Sequence, residues 1–417
     1  VGDRSSADSG KEFASQQGGQ RRKDAVKKVR LGIIGVGGMG SYHAREVLEG
    51  KVRRCELAAV CDIVPDRMAA YPESVRKFTD SRELIRSGAV DAVLIATPHY
   101  SHTTIGIDAL NHGIHVLEEK PISAHKADAE RLIAAHKDKK IVFAAMFNQR
   151  TDPHYIRIRR MVTEGHLGEI TRVSWIITCW FRTEAYYASG SWRATWAGEG
   201  GGVLLNQCPH NLDLLQWICG MPRRVRGFCG LGKRHNIEVE DEVTAYLEYD
   251  NGATGVFVTT TGEAPGTNRL EIVGENGKLV YEDDRITFVR NEIPMTRFSR
   301  TSKSGFATPD VWKIEIPVSG HGGQHLEIKQ NFVDAILDGV QLIAPAEEGI
   351  KSLELANAML YSSLMNRTIE LPLDSAAYER KLRSLIKESD RMGPRRKAAA
   401  ASGGGEDLTK SFREVRH

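Results

Sequence analysis

A few short stretches carry residue types that can do chemistry. The sharpest is Gly35-Val36-Gly37-Gly38-Met39-Gly40, a GxGxxG run that follows one apolar segment and opens an amphipathic one. In that setting each glycine has a task. Gly35 permits a tight turn, Gly37 lets backbone approach a pyrophosphate, and Gly40 lets helix and strand pack closely. Gly38 and Met39 begin the helix, whose free N–H groups and positive dipole end favour phosphate, a contribution of about 0.3–2 kcal/mol. Asp62 ends the next apolar segment. An acid about 20 residues past the glycines binds the ribose hydroxyls of an adenosine, and its charge repels a 2′-phosphate. The pair therefore reads as an NAD site, with NADP less favoured but kept in view by Arg67 nearby.

Three further segments fall where a ligand crevice would lie. Ala96-Thr97-Pro98 closes an apolar run, and Thr97 and Pro98 are expected to touch the cofactor, with His102 beside them. Glu118-Glu119-Lys120-Pro121 closes the next run. The proline biases Lys120 toward extended backbone, which projects its amine into the crevice. Far along the chain, Pro209-His210 opens a helix-like stretch. Proline suits the first helical turn, and the dipole there disfavours an imidazolium. A neutral His210 can accept a proton near pH 7, and Asp213, one turn on, is placed to orient its ring.

These groups need elements to hold them. From Val29 to about Phe147, short apolar runs alternate with amphipathic stretches: strands at 31–34, 57–61, 92–96, 114–117 and 141–147, helices at 41–48, 102–112 and 123–137. That alternation predicts a parallel sheet covered on both faces. After Arg150 comes a helix over 153–164, then strands at 172–180, 223–230, 242–249, 254–260 and 269–273. Asp250-Asn251-Gly252 and Glu275-Asn276-Gly277 are tight-turn signals between them. Helices at 324–338 and 347–365 and a strand at 366–371 follow. The expected fold is an α/β Rossmann domain plus an α+β C-terminal domain with a large open, mainly antiparallel sheet. The boundaries are 29–148 for the cofactor domain and 149–373 for the substrate domain, with disordered extensions at 1–28 and 387–417. One sheet face, carrying Trp175, Ile177, Val256 and Phe257, is expected to stay uncovered and to join copies into a dimer or tetramer.

Together the glycine loop, Ala96-Thr97-Pro98, Glu119-Lys120-Pro121 and the stretch from Gly200 to Asp213 resemble the Gfo/Idh/MocA oxidoreductases, over about Val29 to Leu373. The resemblance implies that Glu119 and Lys120 lie beside the nicotinamide and that His210 and Asp213 face the substrate. Many members carry aspartate where this chain has Asn206. An amide can orient a hydroxyl but is a poor base, so the base is His210 or Lys120. The implied reaction is hydride transfer between a sugar or polyol alcohol and NAD, with His210 taking the proton and Lys120 bonding the oxyanion. Asn148, Arg150, Tyr186, Tyr187, Trp192, Arg193 and Trp196 are candidates for holding the substrate, aromatics against a sugar face and Arg or Asn on its hydroxyls. Two other readings stay open: a glycoside hydrolase or lyase that oxidises its sugar transiently, and an NAD-binding sensor.

The totals exclude other classes. The 417 residues suit two domains. A net charge of +3 gives no sign of nucleic acid. The six cysteines show no paired spacing, so neither a zinc site nor any other metal is expected. No run of about 18 apolar residues offers a membrane span, and with no apolar stretch in the polar first residues the cytoplasm is the expected location, a removed leader staying open because the sequence starts at Val1.

Overall fold

The computed structural model describes residues 27–392. The first sheet is built from β1 (Val29–Ile34), β2 (Cys55–Cys61), β3 (Arg76–Phe78), β4 (Ala92–Ile95), β5 (His115–Glu118) and β6 (Phe143–Ala145). Its helices are α1 (Gly38–Leu48), α2 (Ser81–Arg86), α3 (His99–Asn111) and α4 (Lys126–Ala135). The strands are all parallel, in the order β3-β2-β1-β4-β5-β6. Every residue of β4 is buried. A strand covered on both faces has no solvent side, hence the unbroken apolar run. The order reverses between β1 and β4, which places the crevice at their carboxyl ends, beside Gly35 and Ala96.

The chain leaves this unit through α5 (Pro153–Thr163) into β7 (Ile170–Ile177). Short helices α6 (Glu184–Ala188) and α7 (Val203–Asn206) and the longer α8 (Pro209–Cys219) precede the rest of the second sheet. Its strands are β8 (Arg224–Leu231), β9 (Glu240–Glu248), β10 (Thr254–Thr260), β11 (Asn268–Gly274), β12 (Gly277–Glu282) and β13 (Arg285–Asn291), then, after α9 (Met295–Thr301), β14 (Val311–Ile316). Helices α10 (Gln324–Asp338) and α11 (Gly349–Met365), strand β15 (Ile369–Glu370) and α12 (Ser375–Met392) complete it. The order is β14-β13-β12-β11-β7-β10-β9-β8-β15. Neighbours are antiparallel except β7 and β10. The turn glycines work as expected: Gly252 has φ +83° and Gly277 φ +135°, open to glycine without strain.

Several expectations need correction. Trp175, Ile177 and Phe257 are fully buried and lie on the helix-covered face. Only Val256 of that group is exposed, and the uncovered face instead shows Phe228 and Tyr246. A period of two fixes which residues share a face, but not which face the helices choose. Strands β12, β13 and β14, unread in the sequence, extend the sheet beyond β11, the strand expected at 269–273. Residues 387–392, expected in a disordered tail, continue α12, which docks through buried Tyr378 and Leu382 and an Arg131–Glu379 ion pair. The remainder of both expected tails, 1–26 and 393–417, lies outside the described residues.

The second unit reaches back to the first. Lys329 of α10 is buried and donates to Glu46 of α1 and, at 3.1 Å, to His43 Nδ1. The loop before α10 is fastened to the start of α5. There Asp152 Oδ2 lies 3.4 Å from His321 Nδ1, and Thr151 Oγ1 accepts from Gln324 N at 2.9 Å. Among the described residues no helix is long and apolar enough to cross a membrane.

Candidate active site

The glycine loop has the geometry its spacing demands. Gly35 adopts φ +87°, and a Cβ there would lie 2.7 Å from the Ala96 carbonyl oxygen. A Cβ on Gly40 would sit 1.8 Å from the Gly35 carbonyl oxygen, so α1 packs on the loop only because residue 40 has no side chain. A Cβ on Gly37 would meet nothing within 4 Å. That glycine faces open space, as expected where a diphosphate must approach backbone. Gly38 and Met39 form the first turn of α1, behind Gly37. Asp62 is buried at the end of β2; its Oδ2 accepts from Val36 N at 3.0 Å and its Oδ1 from Val64 N at 2.9 Å. Arg67 approaches the same carboxylate at 3.3 Å. The buried Thr97 hydroxyl, one residue beyond Ala96 and next to Pro98, has no hydrogen-bond partner among the described residues. An open glycine, an anchored acid and an orphaned hydroxyl at one crevice fit an adenine dinucleotide.

His102 does not face this crevice. Its ring is 1% exposed, with Nδ1 on Pro121 O at 2.8 Å and Nε2 on Thr97 O at 2.7 Å. It clamps the two crevice loops together. The reason is its place three residues into α3, on the side turned to β5. Glu119 is likewise a positioning group. Its Oε1 receives His43 Nε2 at 2.8 Å and its Oε2 accepts from Lys120 N at 3.1 Å. Because Lys329 donates to Nδ1 of His43, that ring carries its proton on Nε2 and donates it to Glu119. Burial opposes ionisation of Glu119, but the hydrogen bond from His43 together with the electrostatic influence of His43, His325 and Lys120 outweighs it and holds the carboxyl well below the usual range.

Lys120 turns to the second unit. Its Nζ donates to the Asn206 carbonyl oxygen at 2.8 Å, so the segment after β5 meets the glycine run, four residues ahead of His210. Burial pushes its pKa down, while Glu119 and Glu199 pull it up. His210 stands in the first turn of α8 behind Pro209, 9% exposed, edge-on to Phe147 with ring centroids 6.3 Å apart. Asn206 Oδ1 accepts from Tyr186 Oη at 3.2 Å and from Gln207 Nε2 at 3.1 Å. Arg193 Nη1 donates to Tyr186 Oη at 3.0 Å, and its guanidinium lies 4.7 Å from the Tyr186 and Trp192 ring centres. Tyr186, Trp192 and Arg193 are thus gathered around Asn206.

Other candidates are not. Arg150 is 2% exposed and forks onto Asp213, with both bonds at 2.7 Å, and reaches Glu348 at 2.6 Å. Neither Arg150 nor Asp213 faces substrate, and Asp213 is committed to Arg150 and Gln216 rather than to the ring of His210. Trp196 is a core residue at 4% exposure, and Tyr187 is buried with its hydroxyl on Thr261. Asn148 gives its amide to Gln324 at 2.7 Å, at the α10 junction. Aromatic and basic residues in one loop look alike in sequence whether they face ligand or core.

Two buried carboxylates went unread. Glu199, just before the glycine run, accepts from Asn206 Nδ2 and Ala194 N. Glu240, at the start of β9, accepts through Oε1 from Gly202 N at 2.8 Å and Leu204 N at 3.1 Å, which fixes the run from behind. Burial pushes Glu240 up to about 7. Acids before glycines or at strand ends are common, and only the fold shows that these are dry.

This fold and crevice define a dinucleotide-binding oxidoreductase with a second domain closing over the carboxyl ends of its parallel strands. Residues 29–147 match the model of the oxidoreductase family with an NAD-binding Rossmann fold, and residues 155–280 match a Gfo/Idh/MocA C-terminal domain. The chain belongs to the Gfo/Idh/MocA family and is a dehydrogenase of the type that acts on CH–OH groups. It is 25% identical over 397 residues to levoglucosan dehydrogenase of Pseudarthrobacter phenanthrenivorans, covering 84% of this chain and all of that one. It is 25% identical over 375 residues to the NADP-dependent scyllo-inositol 2-dehydrogenase IolW of Bacillus subtilis, covering 85% and 98%. Among solved structures, the WlbA dehydrogenase of Bordetella pertussis, in complex with NADH and UDP-GlcNAcA, aligns at a TM-score of 0.70 with 25% identity, over 84% of this chain and all of that one.

Proposed function

We propose that this enzyme oxidises a secondary alcohol of a sugar or polyol, with NAD as the preferred cofactor. The observation that carries the reading is the bond from Lys120 Nζ to the backbone of Asn206, which joins the cofactor domain's crevice to the segment bearing His210. The relatives' substrates, levoglucosan and an inositol, support the substrate class. When bound, the nicotinamide supplies the hydride acceptor. In our reading, His210 takes the hydroxyl proton and the Lys120 ammonium hydrogen-bonds the developing oxyanion. Tyr186, Trp192 and Arg193 hold the sugar. The Asp62 carboxylate at the end of β2 supports NAD over NADP, because a 2′-phosphate would meet its charge.

A positioned acid/base contributes about 10²–10⁴-fold. Lys120→Ala and His210→Ala are therefore expected to lower kcat by that order while NAD affinity, read by fluorescence titration, stays unchanged. The assay follows NADH formation and aglycone release together across sugars and glycosides. NADH accumulation supports net oxidation. Aglycone release without NADH would replace it with the redox-neutral reading. Full turnover in either variant would remove the acid/base pair.

A further inference from the structure

The charge at this site does not sit where the hydrogen bonds to Lys120 end. Its ammonium meets a neutral carbonyl, that of Asn206, and the Asn206 side chain is an uncharged amide. Two carboxylates act on Lys120 electrostatically, Glu119 and Glu199. Glu119 has the larger influence and stands on the cofactor side, one oxygen on His43 and the other on the Lys120 backbone, while the guanidiniums of Arg193 and Arg182 oppose both carboxylates. Glu199 adds its charge from the substrate side. It is 2% exposed, and its two oxygens are committed to the Asn206 amide and the Ala194 N–H.

That pair also decides how Asn206 is turned. The amide nitrogen must face the carboxylate, because a carboxylate only accepts. Its oxygen then points to Tyr186 and Gln207, where it can accept from a hydroxyl. The backbone around Glu199 is braced for this: Glu199 N donates to Thr195 O at 3.0 Å, and His99 Nδ1 lies 3.1 Å from Glu199 O.

Resting on the hydride-transfer reading, we propose that Glu199 is a positioning residue whose carboxylate, held by Asn206, joins that of Glu119 in keeping Lys120 an ammonium and sets the Asn206 oxygen toward the substrate hydroxyl. Amide and carboxylate form a matched couple. Exchanging them keeps the hydrogen bond and moves the charge by one link. In Glu199→Gln two amides face each other and the charge is gone. In the double variant Glu199→Gln/Asn206→Asp, the new glutamine donates to the new aspartate, its oxygen still takes Ala194 N–H, and the charge returns beside Lys120.

The test reads Lys120 without any substrate. The full chain, with NAD added, is labelled with an amine-acylating reagent across pH, and modification of Lys120 is followed by peptide mass spectrometry. Glu199→Gln is expected to move the Lys120 titration down by about one pH unit, a tenfold change in the protonation equilibrium, and so raise its labelling near neutral pH. The double variant is expected to return it to near the parent value. Turnover should follow the same order, with the alkaline limb of kcat shifted down in the single variant and restored in the double. A Lys120 titration unmoved by Glu199→Gln, or not restored by the double variant, would overturn the proposal. If Glu199→Gln does not fold, the double variant, which keeps both hydrogen bonds, and Asn206→Asp, which should raise the Lys120 titration, decide it. Lys120 shifts without any sugar oxidation by the parent protein would uphold the charge couple and sink the hydride reading instead.

Discussion

The two halves of the crevice are built by opposite means. On the cofactor side, six consecutive residues and one acid do the work, and the defining contacts are made to backbone: Gly35 against the Ala96 carbonyl, Gly40 against the Gly35 carbonyl, Asp62 on the Val36 N–H. On the substrate side, polar groups converge from distant parts of the chain. Lys120 meets Asn206, Glu240 caps the run at Gly202, and Arg150 grips Asp213. A phosphate site is made from backbone, so glycine spacing can encode it. An acid/base site needs charges kept dry and paired, and pairing is a long-range property.

That contrast can be broken most forcefully at the buried ion pairs. Removing one partner of such a pair costs about 3–5 kcal/mol, because the other charge is left stranded. Arg150→Met and Lys329→Met should each lose stability of that order in urea unfolding. If Arg150 bound substrate instead, its loss would raise KM and leave the unfolding midpoint in place.

Next comes Glu240. Its pKa in the fold, about 7, lies above the ordinary 4.5 because burial disfavours the charge. The folded state therefore holds this proton more tightly than the unfolded chain. The stability this contributes is full below about pH 4.5 and is lost as pH rises to about 7, in total roughly 3 kcal/mol. Glu240→Gln should remove that slope from a plot of unfolding free energy against pH. An unchanged slope would show that Glu240 is not the group responsible.

Smaller effects belong to the cofactor side. If Asp62 holds the ribose as proposed, Asp62→Ala removes a charge-assisted bond worth roughly 1.5–3 kcal/mol. NAD should weaken by about ten- to a hundredfold and NADP by much less; an unaltered ratio of the two dissociation constants would exclude the role. Smallest for the fold is Gly37→Ala. Because the added methyl meets nothing, the melting temperature should stay within about 2 °C, the response to a ΔΔG of some 0.5 kcal/mol, while NAD binding weakens. Gly40→Ala, driven into the Gly35 carbonyl, should instead destabilise the fold.

How much of this was legible follows from the same division. Five of the six parallel strands, the glycine loop, the positions of Asp62 and Lys120 and the helix start at His210 were readable, since each is a local pattern; the three-residue edge strand β3 and the six-residue α2 went unread because they are too short to show a period. The ranges for β10 and α10 agree residue for residue between sequence pattern and structure. His102, Arg150, Asp213 and Trp196 were misplaced, because a polar or aromatic side chain in a loop or first turn carries no mark of its facing. Glu199, Glu240 and Lys329 were passed over, since acids and lysines are ordinarily solvated and only packing makes them dry.

Sequence alone determined the glycine loop, the order of the two units and the side-chain types on hand for chemistry. Those depend on backbone freedom, apolar periodicity and side-chain type, which are properties of short segments. Tertiary structure decided which charges face one another, which sheet face is covered and which candidates are merely core. Burial and pairing arise only when segments far apart in the chain exclude water together.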